Sequence, residues 1–265
     1  MSFKAFQYIV FLLIFFSCNE KESFKDVRII SHGVSGLYNP KSFHIDNTKE
    51  AMHYVLKFEE LEGIEIDVQH SLDGSLWMFH DEFLDDRTSE LGRVCEKTDV
   101  ALSQATYMDL NSTSISRLSS IDWSLNNGDK DVYLDLKNLN ACISEAYTPG
   151  QFISILDEIN GKEDVNVFPI INDTAFAHTI HNVGYKVFSD ALSYGEAKER
   201  LSLFYHGVVV RNGILTSSEV SNLQINNKKV ILLDMFSMSG VRDGLRKYPS
   251  AVLVEDFKSA IIERN

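Results

Sequence analysis

Proline and cysteine are scarce in this chain, and basic residues are outnumbered. Its 265 residues include 4 prolines, 14 glycines and 3 cysteines. So few prolines and glycines argue against long linkers and low-complexity segments. No internal repeat recurs at a fixed period. No GxGxxG follows the first predicted strand, which weighs against a dinucleotide-binding sheet. Lys and Arg total 25 against 38 Asp and Glu, a formal net charge of −13. A surface that acidic disfavours nucleic acid and anionic membranes as general partners. It leaves room for one local positive site, which a bound metal ion would create. The rest of the composition, 44% hydrophobic and 24% charged, is ordinary for a globular protein, and the length suits one large domain or two small ones.

Long hydrophobic runs are also missing. The greasiest stretch, Tyr8 to Phe16, is too short to span a bilayer comfortably. It follows Lys4 and ends in Phe-Phe-Ser-Cys before a polar NEKES, so it reads as the apolar region of a secretory signal. The ending resembles a bacterial lipobox, with Phe15 where leucine is usual and Cys18 as the lipidated first residue of the mature protein. Residues 1–17 are therefore read as a signal peptide, 18–26 as a linker and 27–265 as the folded domain. The protein is expected to be exported and held at the membrane by a lipid on Cys18, facing the periplasm or the cell surface. Cys95 and Cys142 have no metal-like neighbours and are expected to be free or partly buried thiols.

What is present is an alternation. Short apolar runs at 27–31, 63–68, 131–137, 165–171, 185–189, 207–210, 229–234 and 251–256 read as strands. Most are separated by helix-like stretches, beginning with 46–61, where Asp46 or Asn47 is the expected N-cap. Such βα units imply a parallel sheet, and about eight of them near 250 residues predict a TIM (β/α)8 barrel. An open doubly wound sheet is the alternative. Residues 75–79 form a further run, joined to 63–68 by an Asp73-Gly74 turn, and predict a β-hairpin inserted after strand 2. Residues 82–129 are irregular, with one short helix expected near 103–110, as in an elaborated connection on the functional face.

Polar residues fall where barrel strands end. In GIEIDV, Glu65 and Asp67 share one strand face and Ile64, Ile66 and Val68 the other. Two buried carboxylates are costly unless something compensates them, and a divalent cation would do so; oxygen ligands suit Mg²⁺ or Ca²⁺. The hairpin returns the chain toward them and delivers His80. His32 ends the first strand, and Asp135 ends the next barrel strand with Lys137 two residues on. Each residue alone has an ordinary structural explanation. Together, in order, at the C-terminal ends of neighbouring strands, they mark a barrel active site. His44, His53, His70, His178, His181 and His206 lack motif support and are read as structural, and Tyr38 and Asn39 are further pocket-lining candidates.

These residues resemble the glycerophosphodiester phosphodiesterase family. The matching pieces are His32-Gly33, Asp46-Asn47-Thr48, Glu65-Ile66-Asp67-Val68, Asp73-Gly74, His80-Asp81, Arg87-Thr88, Gly92 and Asp135-Leu136-Lys137. The resemblance is dense over 29–92 and collinear to about residue 257. It implies a TIM barrel that hydrolyses small-molecule phosphodiesters with a divalent metal. Glu65, Asp67 and Asp135 then match the metal ligands, His32 and His80 the general acid and base, and Lys137 a phosphate-holding lysine. Three departures stand out: Gly33 in place of an arginine, Asp135 in place of a glutamate, and Leu232-Leu233-Asp234-Met235 in place of Trp-Thr-Val-Asn. Two alternatives keep the barrel. One is a catalytically weak binding lipoprotein. The other is a phosphatidylinositol-type phospholipase with an apolar rim drawn from Phe83, Leu84 and Trp77, although core packing is the expected role of Trp77.

Overall fold

The computed structural model describes residues 23–37, 39–109, 111–126, 130–137, 147–161 and 165–265. The signal and lipobox segment, Tyr38 and Cys142 lie outside the described residues.

Eight parallel strands close into a ring: β1 (Arg28–Ser31), β2 (Gly63–His70), β5 (Asp131–Leu136), β6 (Val167–Ile170), β7 (Phe188–Ala191), β8 (Gly207–Arg211), β9 (Lys229–Met235) and β10 (Ala251–Val254). Pairing of β1 with both β10 and β2 seals it, and the fold is the TIM (β/α)8 barrel expected from the alternation. The described α-helices are α1 (Lys49–Val55), α2 (Asp99–Gln104), α3 (Pro149–Asn160), α4 (Thr174–Asn182), α5 (Tyr194–Ser202), α6 (Ser217–Leu223), α7 (Met238–Arg246) and α8 (Phe257–Arg264). Each starts behind a Ser, Thr or Asp whose side chain accepts a first-turn amide hydrogen. Such a cap contributes about 1 kcal/mol and fixes where the strand-to-helix loop ends. No helix among the described residues is long and apolar enough to cross a membrane.

The first helix begins later than the sequence suggests. Thr48 is its cap, not Asp46 or Asn47, because those two residues are buried and turned toward the barrel mouth. The short helix in the connection lies at Asp99–Gln104 rather than 103–110. Thr98 supplies its cap, and the segment after Ala105 is extended, bridging Tyr107 to Thr88 and Thr106 to Ser114.

The hairpin is present. The end of β2 runs past the ring and pairs antiparallel with β3 (Leu76–Met78), which pairs with β4 (Ser116–Arg117). This insertion has its own apolar core, including Trp77, Phe79, Leu84, Val94, Leu102 and Tyr107. Trp77 and Leu84 are therefore packing residues, which removes two of the three members of the expected lipid-facing rim. Its indole N–H donates to Asp99 Oδ1 at 2.9 Å, so Trp77 has a polar partner as well. Cys95, also buried here, is disulfide-bonded, which corrects the expectation of a free thiol at that position.

Two cores follow from the two strand faces. The outer core packs strands against helices. The inner one fills the barrel with Ile30, Tyr133, Ile170, Phe188, Val209, Ile231, Ala251 and Leu253, one or two residues from most strands. Phe188 fits because β8 opens with Gly207, where an added Cβ would sit 2.3 Å from Phe188 Cε1 and 2.8 Å from the Lys229 carbonyl oxygen. Gly207→Ala should lower the unfolding free energy by about 1–3 kcal/mol through overpacking. Denaturant titration checks this, and an unchanged midpoint would show that the barrel interior yields more readily than close packing allows.

Candidate active site

The site grows from strand register. In β2, Glu65 and Asp67 point into the barrel mouth, and β5 pairs with β2 so that Asp135 lies directly beside Asp67. Neighbouring parallel strands bring partners of one register within side-chain reach. Glu65, Asp67 and Asp135 are all buried and each offers an oxygen within 4.8 Å of the others. Lys137 reaches back over them, with Nζ 3.0 Å from Asp67 Oδ1 and hydrogen-bonded to Asp135 Oδ2.

Two of the three carboxylates are fixed by loops outside the ring. The loop after β1 turns on Gly33 at φ +51°, and its amide donates to Glu65 Oε2 at 2.7 Å. Asn47 clamps Asp67 twice: its Nδ2 donates to Asp67 Oδ2 at 2.7 Å, and its Oδ1 accepts the Asp67 amide hydrogen at 3.0 Å. Asn47 itself sits at φ +51°, a conformation asparagine tolerates better than most residues. Asp46 next to it takes a bidentate pair from Arg87 at 2.8 and 3.0 Å. Arg87 also lies 3.8 Å from Asp81.

The insertion carries the second imidazole into place. The Phe79 amide donates to the Asp67 carbonyl at 3.1 Å, and Gln69 Nε2 donates to the carbonyls of Phe79 and Asp81. These bonds pin the return strand above the carboxylates. His80 Nδ1–H donates to Asp81 Oδ1 at 2.9 Å, and His32 Nδ1–H donates to Glu255 Oε1 at 2.6 Å. A carboxylate thus engages Nδ1 in both rings. His32, His80, Glu65, Asp135 and Lys137 all line one cavity of about 420 Å³ at the C-terminal end of the barrel.

The electrostatics are those of under-compensated acids. Burial pushes the Glu65 carboxyl well up, and Asp67 adds to the shift. Burial raises Asp135 to about 7 against the pull of Lys137, with Asp190 and Asp67 contributing. Burial would raise Asp67 too, but Lys137 and the two imidazoles overcome it and hold it at about 2. Lys137, though buried, is pushed up by the surrounding carboxylates. One ammonium among three acids leaves negative charge unmatched, and Asp67 Oδ1 has the Lys137 ion pair but no well-aligned hydrogen bond among the described residues. An all-oxygen donor set in this state fits a hard divalent cation.

Every sequence-predicted site residue therefore meets at one mouth. Several other residues in the assembly went unrecognised. Asn47 is expected from sequence only as a helix cap, and Asp81 and Arg87 stand in motif pieces that assign them no role. Glu255 directly follows β10 and Asp190 is the penultimate residue of β7, where no motif marks them. Of the two extra pocket candidates, Asn39 instead donates to the Glu255 carbonyl at 2.8 Å, and Tyr38 falls outside the described residues.

A closed (β/α)8 barrel thus carries clustered carboxylates and two carboxylate-anchored imidazoles at its C-terminal face. Residues 33–261 match the glycerophosphoryl diester phosphodiesterase family. This chain belongs to that family, and it is a phosphoric diester hydrolase. No curated protein sequence matches it. Its fold is similar to that of an Oleispira antarctica phosphodiesterase solved with the product sn-glycerol-3-phosphate, at 18% identity and TM-score 0.72, covering 91% of this chain and 100% of that one. A glycerophosphodiester phosphodiesterase from Agrobacterium tumefaciens str. C58 is similar at 16% identity and TM-score 0.68, over 89% and 99% of the two chains. One from Thermotoga maritima is similar at 18% identity and TM-score 0.65, over 88% and 96%.

Burial lowers the His80 pKa, but the Asp81 hydrogen bond and the Asp67 charge outweigh it and leave it above its ordinary 6.5. The fold thus favours the protonated ring. That stabilisation is complete below the ordinary value and is lost as pH rises through the raised one. Asp81→Asn should lower the His80 pKa in an NMR titration and shrink the acid-side stability gain. An unmoved pKa would mean that another charge holds the proton.

Proposed function

We propose that the protein hydrolyses glycerophosphodiesters or a closely related lipid headgroup, using a divalent metal, Mg²⁺ or Ca²⁺, held by Glu65, Asp67 and Asp135. The register that sets Asp135 beside Asp67 under two carboxylate-anchored imidazoles carries this reading. When bound, the metal neutralises the phosphoryl oxygens and makes phosphorus more open to attack. Lys137, at the edge of the carboxylates, adds positive charge to the same oxygens.

His32 and His80 divide the proton traffic. One accepts the proton of the attacking hydroxyl, from water or a neighbouring substrate hydroxyl, as the new P–O bond forms. The other donates a proton to the departing alkoxide as the old P–O bond breaks, so the alcohol leaves neutral. Glu255 and Asp81 orient the rings and stabilise the imidazolium in turn. The product bound in the Oleispira relative, sn-glycerol-3-phosphate, supports a glycerophosphodiester substrate. The glycine at position 33 in place of an arginine removes one phosphate contact, which leaves recognition to the metal and Lys137.

The test is phosphodiester hydrolysis with Mg²⁺, Ca²⁺ or EDTA on a panel of glycerophosphodiesters. Turnover should require metal, and His32→Ala and His80→Ala should each lose about 10²–10⁴-fold in kcat. A folded, metal-binding protein with no turnover on any member would point to a binding role instead.

The N-terminal sequence supports export and lipid attachment at Cys18, which would hold the barrel at a membrane. Labelled palmitate should enter the wild-type chain in cells and not Cys18→Ala. Equal labelling of both would rule out this site of attachment.

A further inference from the structure

The end of the barrel opposite the catalytic mouth, where the strands begin, has a pattern of its own. There the chain leaves α4, α5, α6 and α7 and turns into the next strand. Each of these turns exposes one large apolar side chain: Val183 at 55%, Leu203 at 49%, Ile225 at 60% and Tyr248 at 55%. Lys186, Lys228 and Lys229 stand in the same turns, around His206. Burial and the three ammonium groups push the His206 pKa down to about 4, and no carboxylate opposes them. Asp157 borders the patch and accepts the Tyr185 hydroxyl hydrogen at 2.5 Å. In a chain of net charge −13 this is a local positive face with apolar points, which is the chemistry of a surface that settles on anionic lipid.

We propose that this face of the barrel docks on an anionic lipid bilayer, so that the catalytic mouth opens into the water on the far side. The apolar tips would enter the headgroup layer while the lysines meet lipid phosphates. The acidic remainder of the surface would be held away by repulsion, which fixes the orientation. The N-terminal segment enters at the same end. The Phe24 amide donates to the Arg264 carbonyl at 3.2 Å, and the Phe24 ring lies 5.7 Å from that of Tyr248. From Cys18 to Ser23 the chain reaches at most ~18 Å. That is less than the ~26 Å length of β2 alone. A lipid on Cys18 would therefore root the protein beside Tyr248 and could not carry the mouth round to the membrane. The mouth exposes Leu192 and Phe236 too, but beside Asp190, Asp234 and Glu255, and Arg211 there is paired with Asp234. An anionic surface repels that rim. The orientation narrows the substrate to diesters dissolved in water rather than phospholipids of the supporting membrane. That last step rests on the phosphodiesterase reading, and the docking does not.

Hydrogen exchange of the full-length protein on vesicles tests the docking without any turnover. Phosphatidylglycerol vesicles are compared with pure phosphatidylcholine. On the anionic lipid, exchange over 203–206 and 224–229 should slow at least about fivefold, the effect of one lysine at such a surface. Lys186→Glu combined with Lys229→Glu should abolish the difference, and the lipid comparison itself needs no variant. The vesicle-bound enzyme should hydrolyse added glycerophosphodiesters and leave the vesicle phospholipid intact. Equal exchange on the two lipids would overturn the proposal, as would slowing over 191–192 and 234–238 in place of the opposite face. Cleavage of the vesicle phospholipid would put the mouth on the bilayer and overturn it as well. Slowing at the docking face with no turnover of any diester would keep the docking and overturn the phosphodiesterase reading. Protection of the same turns that grows with protein concentration in the absence of vesicles would mean that a second copy covers this face, and the proposal would fall.

Discussion

Three carboxylates buried side by side, with one ammonium among them, are the constraint around which this barrel mouth is arranged. In a low-dielectric interior their mutual repulsion is strong, and desolvation adds to it. The fold answers with donors rather than with distance. The Gly33 amide serves Glu65, Asn47 serves Asp67 and Lys137 serves Asp67 and Asp135. What these leave uncompensated is a charge deficit of the kind a divalent cation fills, and that deficit is what makes the site useful. A perfectly neutralised cluster would have no need of metal and no hold on a phosphodiester.

The supporting residues form a continuous shell. Asp46 holds Arg87, Arg87 approaches Asp81, and Asp81 holds His80. The insertion after β2, with its separate core, exists on the same logic. It gives a rigid return strand whose amide and carbonyl bonds to β2 set the height of His80 above the carboxylates. On the other side of the mouth, Glu255 holds His32 from the last strand of the ring. The two imidazoles are thus positioned from opposite ends of the chain, and closure of β1 on β10 brings the second pair together.

The departures from the family pattern have local physical sense. Gly33 in place of arginine gives up a side chain but supplies an amide in a left-handed turn aimed at Glu65. Asp135, shorter than glutamate by a methylene, still joins the cluster because register places its strand directly beside Asp67. Leu233 and Asp234 on β9 line the cavity while Leu232 packs in the outer core, and Asp234 turns at φ +67° to meet Arg211. The changes fall mostly on recognition, while the proposed acid–base and ligand groups are retained.

Much of this was legible in the sequence because it depends on periodicity. The period-two pattern of GIEIDV put Glu65 and Asp67 on one face, and the alternation of strands and helices implied a parallel sheet, with about eight units favouring a barrel over an open sheet. The Asp73-Gly74 turn announced the hairpin. Other features had no local signature. Thr48 and Asn47 both suit a helix start, and only the demand of Asp67 for a partner decided which one capped and which one clamped. Leu84 looks like a rim residue until the insertion is seen to need a core, the role expected of Trp77. Glu255 carries no mark of pairing with a histidine 223 residues away. Sequence alone indicated the fold class and which polar side chains would gather at the barrel mouth, since both follow from residue type and spacing along one strand or turn. Tertiary structure decided which groups support them, because register between strands and closure of the ring set those distances.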